Sequence, residues 1–446
     1  MMISDDTIVA VATPPGTGGV GVVRMSGVDV ERIARAMLGS LPEPRVATYA
    51  TFADARGEAV DAGLALYFPG PASFTGESVI ELQGHGGPVV LSMLVEAAVD
   101  LGARRAEPGE FTKRAFLNDK LDLAQAEAIA DLIESGTAQA ARAALRSLSG
   151  AFSGAVNGLA DQLTGIRVYV EAAIDFPEEE IDFLGDDELG ERLSNCAAAF
   201  ESLLSQAAVG RVMRDGYQVV IVGKPNAGKS SLMNRLSGEE TAIVTEFAGT
   251  TRDVLRERIN IEGLAVELVD TAGLRDNPDR IEEEGIRRAR KAMAEADAVL
   301  WIQDATEAVP EQIDEPVPDG IPVTIVRNKI DLSGERPGTV DGERPVVMLS
   351  ARTGEGLDAL RERIRELAGF RDLGEGAFTA RRRHVEALRD AHSHFEAGRA
   401  ALRDARAGEL LAEELRLSQQ ALGTITGELT ADDLLGRIFS EFCIGK

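Results

Sequence analysis

Residues Gly223-Lys224-Pro225-Asn226-Ala227-Gly228-Lys229-Ser230 follow directly on the apolar run Val219-Val220-Ile221-Val222. The spacing G-x-x-x-x-G-K-[ST], with a buried strand before it and a helix after it, is that of a phosphate-binding loop. Each fixed residue has a physical task. Gly223 and Gly228 allow the tight turn that aims consecutive backbone N–H groups at a triphosphate. Lys229 supplies a point charge for the β- and γ-phosphates, and Ser230 a hydroxyl for Mg²⁺. A nucleoside triphosphate is therefore the expected substrate class.

Downstream residues select the nucleotide. Asp270-Thr271-Ala272-Gly273 follows the apolar run from Ala265 to Val269 and has the D-x-x-G form of a GTPase. Its aspartate is expected near Mg²⁺ and its glycine N–H at the γ-phosphate. Asn328-Lys329-Ile330-Asp331 follows the strand-like Val323 to Val326. The aspartate there is an acceptor-only group, suited to the two donors on the Watson–Crick edge of guanine, which adenine lacks. Ser350-Ala351, after Val346 to Leu349, offers a backbone N–H to guanine O6, and Thr250-Thr251 supplies a switch threonine for Mg²⁺. These elements in this order, each at the end of a predicted strand, point to GTP rather than to a fold that has lost its nucleotide.

Small GTPases of the Ras type carry a water-orienting Gln after the D-x-x-G glycine. Here that position is Leu274. The loop holds no Arg to act in cis, so water positioning and charge stabilisation must come from elsewhere. Asn226 has an amide oxygen fit for a monovalent cation; turn chemistry is the other reading of an Asn in a loop. Glu282 is a carboxylate able to reach the water indirectly, but spacing alone favours a solvated charge beside Glu283 and Glu284.

These groups need a scaffold. The chain of 446 residues is long enough for two or three domains with their own cores, and 44% hydrophobic content suits a soluble globular protein. No apolar stretch reaches the length of a membrane span. The first ten residues lack a basic segment leading into a long apolar one, so the expected location is cytoplasmic. Cys196 and Cys443, far apart, make no disulfide framework. A formal net charge of −27 argues against nucleic-acid binding by whole-surface attraction, so RNA contact needs a local patch or a partner. Arg381-Arg382-Arg383-His384 is such a patch, read most simply as a solvated helix start; the acidic Asp175 to Glu191 reads as a solvated loop between helices.

In residues 1–117 the short β-rich runs Ile8 to Ala12, Val20 to Met25, Leu64 to Phe68 and Val79 to Leu82 alternate with turn signals. The turns are expected at Pro14-Pro15-Gly16 and Gly84-His85-Gly86-Gly87, and Pro88 to Leu101 has helical periodicity. This is an α+β pattern. From Asn118 or Asp119, either able to cap, Leu121, Gln125, Ala128, Ile129, Leu132 and Ile133 recur at helical spacing. Helical patterns run to about Gly210 and resume after Gly369 to Gly376. The expected architecture is an all-α domain interrupted by a Ras-like P-loop GTPase domain with a mostly parallel sheet.

With these motifs in place, the chain resembles, end to end, the MnmE (TrmE) family of tRNA-modification GTPases. The phosphate loop and Ala248-Gly249-Thr250-Thr251-Arg252-Asp253 are shared with ribosome-assembly relatives. The discriminating segments are Thr13-Pro14-Pro15-Gly16, Gly19-Val20-Gly21 with Arg24, and Ser73-Phe74-Thr75-Gly76-Glu77. Glu81-Leu82-Gln83-Gly84-His85-Gly86-Gly87, Pro108-Gly109-Glu110-Phe111-Thr112, Asn118-Asp119-Lys120-Leu121-Asp122-Leu123 and Cys443-Ile444-Gly445-Lys446 complete them. The resemblance implies a folate-binding and dimerisation domain over 1–117, a helical domain over 118–213 and 371–446, and an inserted G domain over 214–370. It implies a reduced folate, 5-formyltetrahydrofolate or a relative, at Arg24, Glu81, Lys120 and Lys446. The chemistry fits: cations for carboxylates and an acceptor for the pterin's donors. Thr17 stands where relatives often carry a basic residue, which implies weaker folate binding if that residue contributes.

By the same resemblance, G domains pair across K⁺, held by the Asn226 side chain, the Thr245 and Phe247 carbonyls and Thr250. Glu282 becomes the catalytic carboxylate, acting through a second water, with Lys229 and Asn226 beside it. Mg²⁺ falls to Ser230 and Thr251. The implied GTP-binding set is Asn226, Ala227, Gly228, Lys229, Ser230 and Ser231, with Thr245, Glu246, Phe247, Ala248, Gly249, Thr250 and Thr251. Asp270, Thr271, Ala272, Gly273, Asn328, Lys329, Asp331, Ser350, Ala351 and Arg352 complete it. Cys443 is placed near the folate, with a role in carbon transfer. The implied activity is GTP hydrolysis in a homodimer, coupled to modification of carbon five of the tRNA wobble uridine. The product carries an aminomethyl or carboxymethylaminomethyl group, and the partner is flavin- and NADH-using MnmG (GidA). The rival is a ribosome-assembly GTPase of the Era/Der type, which needs an appended RNA module such as a GXXG-loop domain; no such pattern follows residue 370.

Overall fold

Alternating apolar and polar residues build the first sheet of the computed structural model. The structure describes residues 6–175, 187–239, 255–270, 293–294, 296–307, 317–318, 320–369, 376–428, 432–440 and 442–445. The chain divides into two compact units, residues 1–130 with 420–446, and residues 131–419. Among the described residues no helix is long and apolar enough to cross a membrane.

In the first unit the elements run β1 (Ile8–Val11), β2 (Gly18–Ser26), α1 (Val30–Leu38), β3 (Thr48–Ala53), β4 (Ala59–Phe68), β5 (Val79–Gly86), α2 (Pro88–Asp100), β6 (Arg104–Arg105), α3 (Glu110–Leu117) and the start of α4 (Leu123–Glu134). The sheet order is β3-β4-β5-β2-β1-β6. Val23, Met25, Ala65, Tyr67, Ile80 and Leu82 share one face and pack with Ile33, Met37, Leu94 and Ala98 of α1 and α2. Arg24, Leu64 and Glu81, out of phase by one residue, lie on the opposite face. On that side Ile8 and Ala10 pack against Phe111 of α3, while Tyr49 and Leu64 are exposed.

Two expectations are corrected here. Gly84, His85 and Gly86 complete β5 instead of turning, because Gly84 and Gly86 pair with Gly21 and Gly18 across the ladder; only Gly87 leaves the strand. The helix expected to be capped by Asn118 or Asp119 is capped by Asp122. Its carboxylate accepts from the Gln125 N–H at 2.8 Å, and the Gln125 side chain accepts from the Asp122 N–H at 3.0 Å. Asn118 closes α3 and donates its amide to the Thr75 carbonyl at 2.7 Å.

The second unit holds α5 (Ala138–Leu148), α6 (Ala151–Asp175), α7 (Asp187–Asp215), β7 (Tyr217–Gly223), α8 (Lys229–Glu239), β8 (Leu255–Ile261), β9 (Leu264–Asp270), β10 (Ala298–Asp304), β11 (Val323–Asn328), α9 (Ile330–Ser333), β12 (Gly338–Val340), β13 (Val346–Met348), α10 (Leu357–Leu367), α11 (Arg382–Ala405) and most of α12 (Gly408–Thr426). The sheet order is β12-β13-β11-β10-β7-β9-β8. The central strands β13, β11, β10, β7 and β9 are parallel; β12 and β8 run antiparallel at the edges. A parallel sheet is covered on both faces, which is why its strands read as unbroken apolar runs. Leu300 and Ile302 enter one core, Val299 and Trp301 the other.

The charged patches also change. Asp187 to Glu191, expected in a loop, open α7, where acidic side chains favour the positive end of the helix dipole. Arg381 is not solvated. It is 8% exposed, pairs with Asp131 at 2.7 Å, and its N–H donates to Nδ1 of buried His384 at 3.0 Å. Arg214 meets the same Asp131 carboxylate at 3.0 Å. The aspartate draws Arg381 inward, and Arg382 stays exposed.

After α12 the chain re-enters the first unit as α13 (Asp432–Ser440). Leu435, Ile438, Phe439 and Phe442 pack with Leu123 and Ala126. The Gly109 N–H donates to the Cys443 carbonyl at 3.3 Å, and Ile444 bridges to Pro108.

Candidate functional site

β7 delivers Gly223 to the carboxyl edge of the parallel sheet, flanked by β10 and β9. Gly223 has φ 147° and Gly228 φ 96°. A Cβ on Gly223 would stand 2.3 Å from the Ile302 carbonyl oxygen, and one on Gly228 2.2 Å from Asn328 Nδ2. Glycine is thus required by neighbours as well as by backbone conformation. Asn226 is exposed at φ 64°, in the left-handed region that Asn tolerates. Lys229 opens α8 and is 7% exposed; its Nζ donates to the Gly223 and Lys224 carbonyls at 2.8 and 2.9 Å. Ser230 and Ser231 sit exposed in the first turn of α8. A glycine cradle that any side chain would fill, a helix N-terminus and a buried ammonium together fit a polyphosphate.

Asn328 proves to be a staple. It is 2% exposed; its Nδ2 donates to the Ala227 carbonyl at 2.9 Å, and its Oδ1 accepts from the Lys329 and Ala351 N–H groups at 2.8 and 2.9 Å. It ties the phosphate loop to the segment after β13. The N–H groups expected at guanine O6 have protein acceptors: Ser350 N donates to the Glu355 carbonyl and Ala351 N to Asn328, each at 2.9 Å. Asp331 accepts from the Ser350 hydroxyl at 2.6 Å and pairs with Arg352 at 2.6 Å. The hydroxyl first, then the guanidinium, hold its carboxyl below the usual carboxylate range. An ionised, acceptor-only group is what the donor edge of guanine requires.

The sequence reading missed Asp304, the last residue of β10. Lys329, at φ 70°, donates its Nζ to Asp304 at 2.7 Å. With the N–H and hydroxyl of Thr306, this bond pulls the Asp304 carboxyl down to about 2. An acidic residue just past the apolar run Ala298–Ile302 was the available signal. Thr245, Glu246, Phe247, Ala248, Gly249, Thr250 and Thr251, then Thr271, Ala272, Gly273, Leu274 and Glu282, lie outside the described residues; of Asp270 only the backbone is described, at the end of β9.

In the first unit, Arg24 and Glu81 are direct cross-strand partners and hold each other through contacts of 2.9 and 2.7 Å. The Arg24 Cζ lies 5.8 Å from the ring centres of both Phe74 and Phe111. Lys120 donates to the Pro71 carbonyl at 3.1 Å, so Arg24 and Lys120 both touch the 71–77 segment. Lys446 lies outside the described residues. Cys443 is exposed; Cys196 is buried, and burial pushes its thiol up to about 12.

Two family profiles match the chain. Residues 123–443 match the family profile described as MnmE helical domain, and residues 7–120 the profile described as GTP-binding protein TrmE N-terminus. The chain is similar to the solved G domain of the T. maritima FeoB iron transporter, at 24% identity over 34% of this chain and 98% of that one, with a TM-score of 0.25. It is similar also to a GTP-binding protein from Sulfolobus solfataricus in complex with GDP, at 19% identity over 47% of this chain and 67% of that one, TM-score 0.25. The FeoB G domain from Methanococcus jannaschii matches at 24% identity over 34% and 98%, TM-score 0.25. With its phosphate loop and Asp331 at one sheet edge and profile matches from residue 7 to residue 443, the chain belongs to the MnmE (TrmE) family of tRNA-modification GTPases.

Proposed function

We propose that this protein is a cytoplasmic, homodimeric, K⁺-dependent GTPase that works with flavin-dependent MnmG (GidA). Together they add a (carboxymethyl)aminomethyl group to carbon five of the tRNA wobble uridine, using a folate one-carbon unit. The supporting observation is the convergence of the glycine cradle, buried Lys229 and ionised Asp331 at one edge of the parallel sheet. The proposed division places the folate domain at 1–117, helical segments at 118–213 and 371–446, and the G domain at 214–370.

On this reading Lys229 exchanges its two loop carbonyls for phosphate oxygens, and Asp331 exchanges Ser350 and Arg352 for the guanine donors. Ser230 and Thr251 would hold Mg²⁺; Asn226, Thr250 and the Thr245 and Phe247 carbonyls would hold K⁺. When bound, these ions supply the positive charge that a GTPase without an arginine in its loop lacks. Glu282 positions the hydrolytic water through a second water. Arg24, Glu81, Lys120 and Lys446 hold the reduced folate, which supplies the carbon, with Cys443 beside it.

Wobble-uridine nucleoside analysis of cells lacking the protein tests the reading. The modified nucleoside should disappear, and return with the wild-type chain but not with Lys229→Ala. Unchanged nucleosides in the deletion strain would remove the tRNA function. In purified protein, GTP turnover should rise in K⁺ over Na⁺ and nearly vanish in Glu282→Ala; equal rates in the two salts would remove the cation role of Asn226.

A further inference from the structure

Phe74 is a large apolar side chain left 39% exposed on a tightly fastened segment. Next to it, Thr75 is fully buried, bonded to Ser26 through their hydroxyls at 2.7 Å, and its carbonyl takes the Asn118 amide at 2.7 Å. Glu77 accepts from the Ser26 hydroxyl at 2.6 Å and from Arg114 at 3.1 Å on both oxygens. On the other side, the Ser73 hydroxyl donates to the Glu77 carbonyl, and Lys120 holds the Pro71 carbonyl at 3.1 Å. Within 73–77 the exposed side chain is thus an aromatic ring on a clamped backbone.

The ring has a defined neighbour. Its centre is 5.8 Å from the Arg24 Cζ, and Arg24 is already neutralised by Glu81 at 2.7 Å. Phe111 lies equally far from Arg24 but is fully buried in a core. Core packing therefore accounts for Phe111, whereas Phe74 meets Arg24 and keeps more than a third of its surface open to solvent. An exposed ring on an arginine that is itself paired with a carboxylate suits a flat heterocycle with a donor edge: the face stacks, and the donors face the acceptor.

We infer that Phe74 is a stacking wall for the pyrimidine half of the reduced pterin and sets the site's preference for that ring over the p-aminobenzoylglutamate tail. This rests on the reduced-folate reading above. The test is calorimetric titration of the full-length chain with 5-formyltetrahydrofolate and, separately, with p-aminobenzoylglutamate, in wild type, Phe74→Leu and Phe74→Tyr. Phe74→Leu should weaken the intact folate roughly 5- to 150-fold, the range of ring-on-aromatic stacking. It should leave the tail fragment unchanged, and Phe74→Tyr should bind the folate like wild type. Equal affinity of Phe74→Leu and wild type for the folate overturns the role of Phe74 alone. Equal loss of both ligands with a lowered melting temperature, shared by Phe74→Tyr, makes the ring a structural support and overturns it too. No heat from the folate in wild type defeats the folate reading itself, and this inference with it.

Discussion

At the nucleotide site the protein's own groups stand where a ligand's are expected. Lys229 rests on the Gly223 and Lys224 carbonyls, and Asp331 on Ser350 and Arg352. On the outer face of the first sheet, Arg24 and Glu81 satisfy each other, and the group left over is a ring. The difference separates two ways of binding. On the proposed reading GTP would exchange one set of charge-assisted hydrogen bonds for another, so its selection would rest on which acceptor or donor is present and on the turn that places it. On the same reading a folate would meet an ion pair already made, so the affinity gained there would come chiefly from apolar contact and from donors that fit Glu81, with Arg24 serving a carboxylate of the ligand. Substituting the base-reading carboxylate should therefore change ligand identity at the first site, whereas substituting the ring or its neighbours should change how strongly the second site holds its ligand.

The largest effect is expected from Asp331→Asn. The amide turns one acceptor into a donor, leaving a guanine N–H unpaired while matching the carbonyl of xanthine. Selectivity for GTP over XTP should fall by roughly 100-fold or more, since a site built around a hydrogen bond rejects the ligand lacking it strongly. Competition binding with the two nucleotides reads this directly. Unchanged GTP preference would end the contrast between the sites, because it would mean that Asp331 does not read the base.

Gly228→Ala attacks the turn instead. The new methyl would sit 2.2 Å from Asn328 Nδ2 at a backbone φ of 96°. The strained backbone alone costs about 1–3 kcal/mol, and displacing Asn328 loosens its bonds to Ala227 and Ala351. GTP affinity should drop at least roughly 10-fold, with a lower melting temperature for the second unit. Wild-type affinity would mean that the loop reshapes freely and that the cradle is not what holds phosphate.

What the sequence made legible follows the same division. The phosphate loop is contiguous, and its tasks (a turn, a helix start, a charge) are local, so residue types alone point to it. Asn328 as a staple and Asp304 as the partner of Lys329 depend on β10 and β11 lying side by side, which no local pattern states. Gly84 to Gly86 misled because glycine marks turns and close strand approach alike; the partners Gly18 and Gly21 decide between them. Arg381 misled because its carboxylate, Asp131, is 250 residues away in sequence. Arg24 and Glu81 were named by resemblance, and Phe74 entered only as part of a signature. Their meeting is a product of strand register and of the clamped 73–77 segment.

Arg24→Ala probes the second site from its charged side. It leaves the Glu81 carboxylate, 18% exposed, without its partner. A hydrogen bond to a charged group contributes about 1.5–3 kcal/mol, and because both side chains are partly exposed the lower end applies, so 5-formyltetrahydrofolate should bind roughly 10-fold more weakly by calorimetry. The tail fragment should be affected too, unlike in Phe74→Leu, because a cation serves the carboxylates. A loss confined to the intact folate would make Arg24 a prop for Phe74 and Glu81 instead of a ligand.

The smallest effect tests whether the self-occupied charges at the nucleotide site are held as the geometry says. The Asp304 carboxyl is pulled down to about 2, chiefly by the Lys329 ammonium and then by the two Thr306 donors. A depressed folded pKa means that the pair's contribution to stability is fully present above the unfolded value of about 3.9 and is lost as pH falls through about 2. The side chains of Lys329 and Asp304 are 31% and 18% exposed, so solvent screens the pair and its contribution stays below about 1 kcal/mol. A ¹³C carboxyl titration should place the Asp304 midpoint near 2. Lys329→Ala should raise that midpoint toward the ordinary aspartate value and flatten the stability profile between pH 4 and 2, and added salt should act in the same direction. A midpoint that ignores Lys329 would assign the shift to Thr306, and would leave the Lys329 ammonium free to meet the nucleotide instead of serving as a fastener behind it.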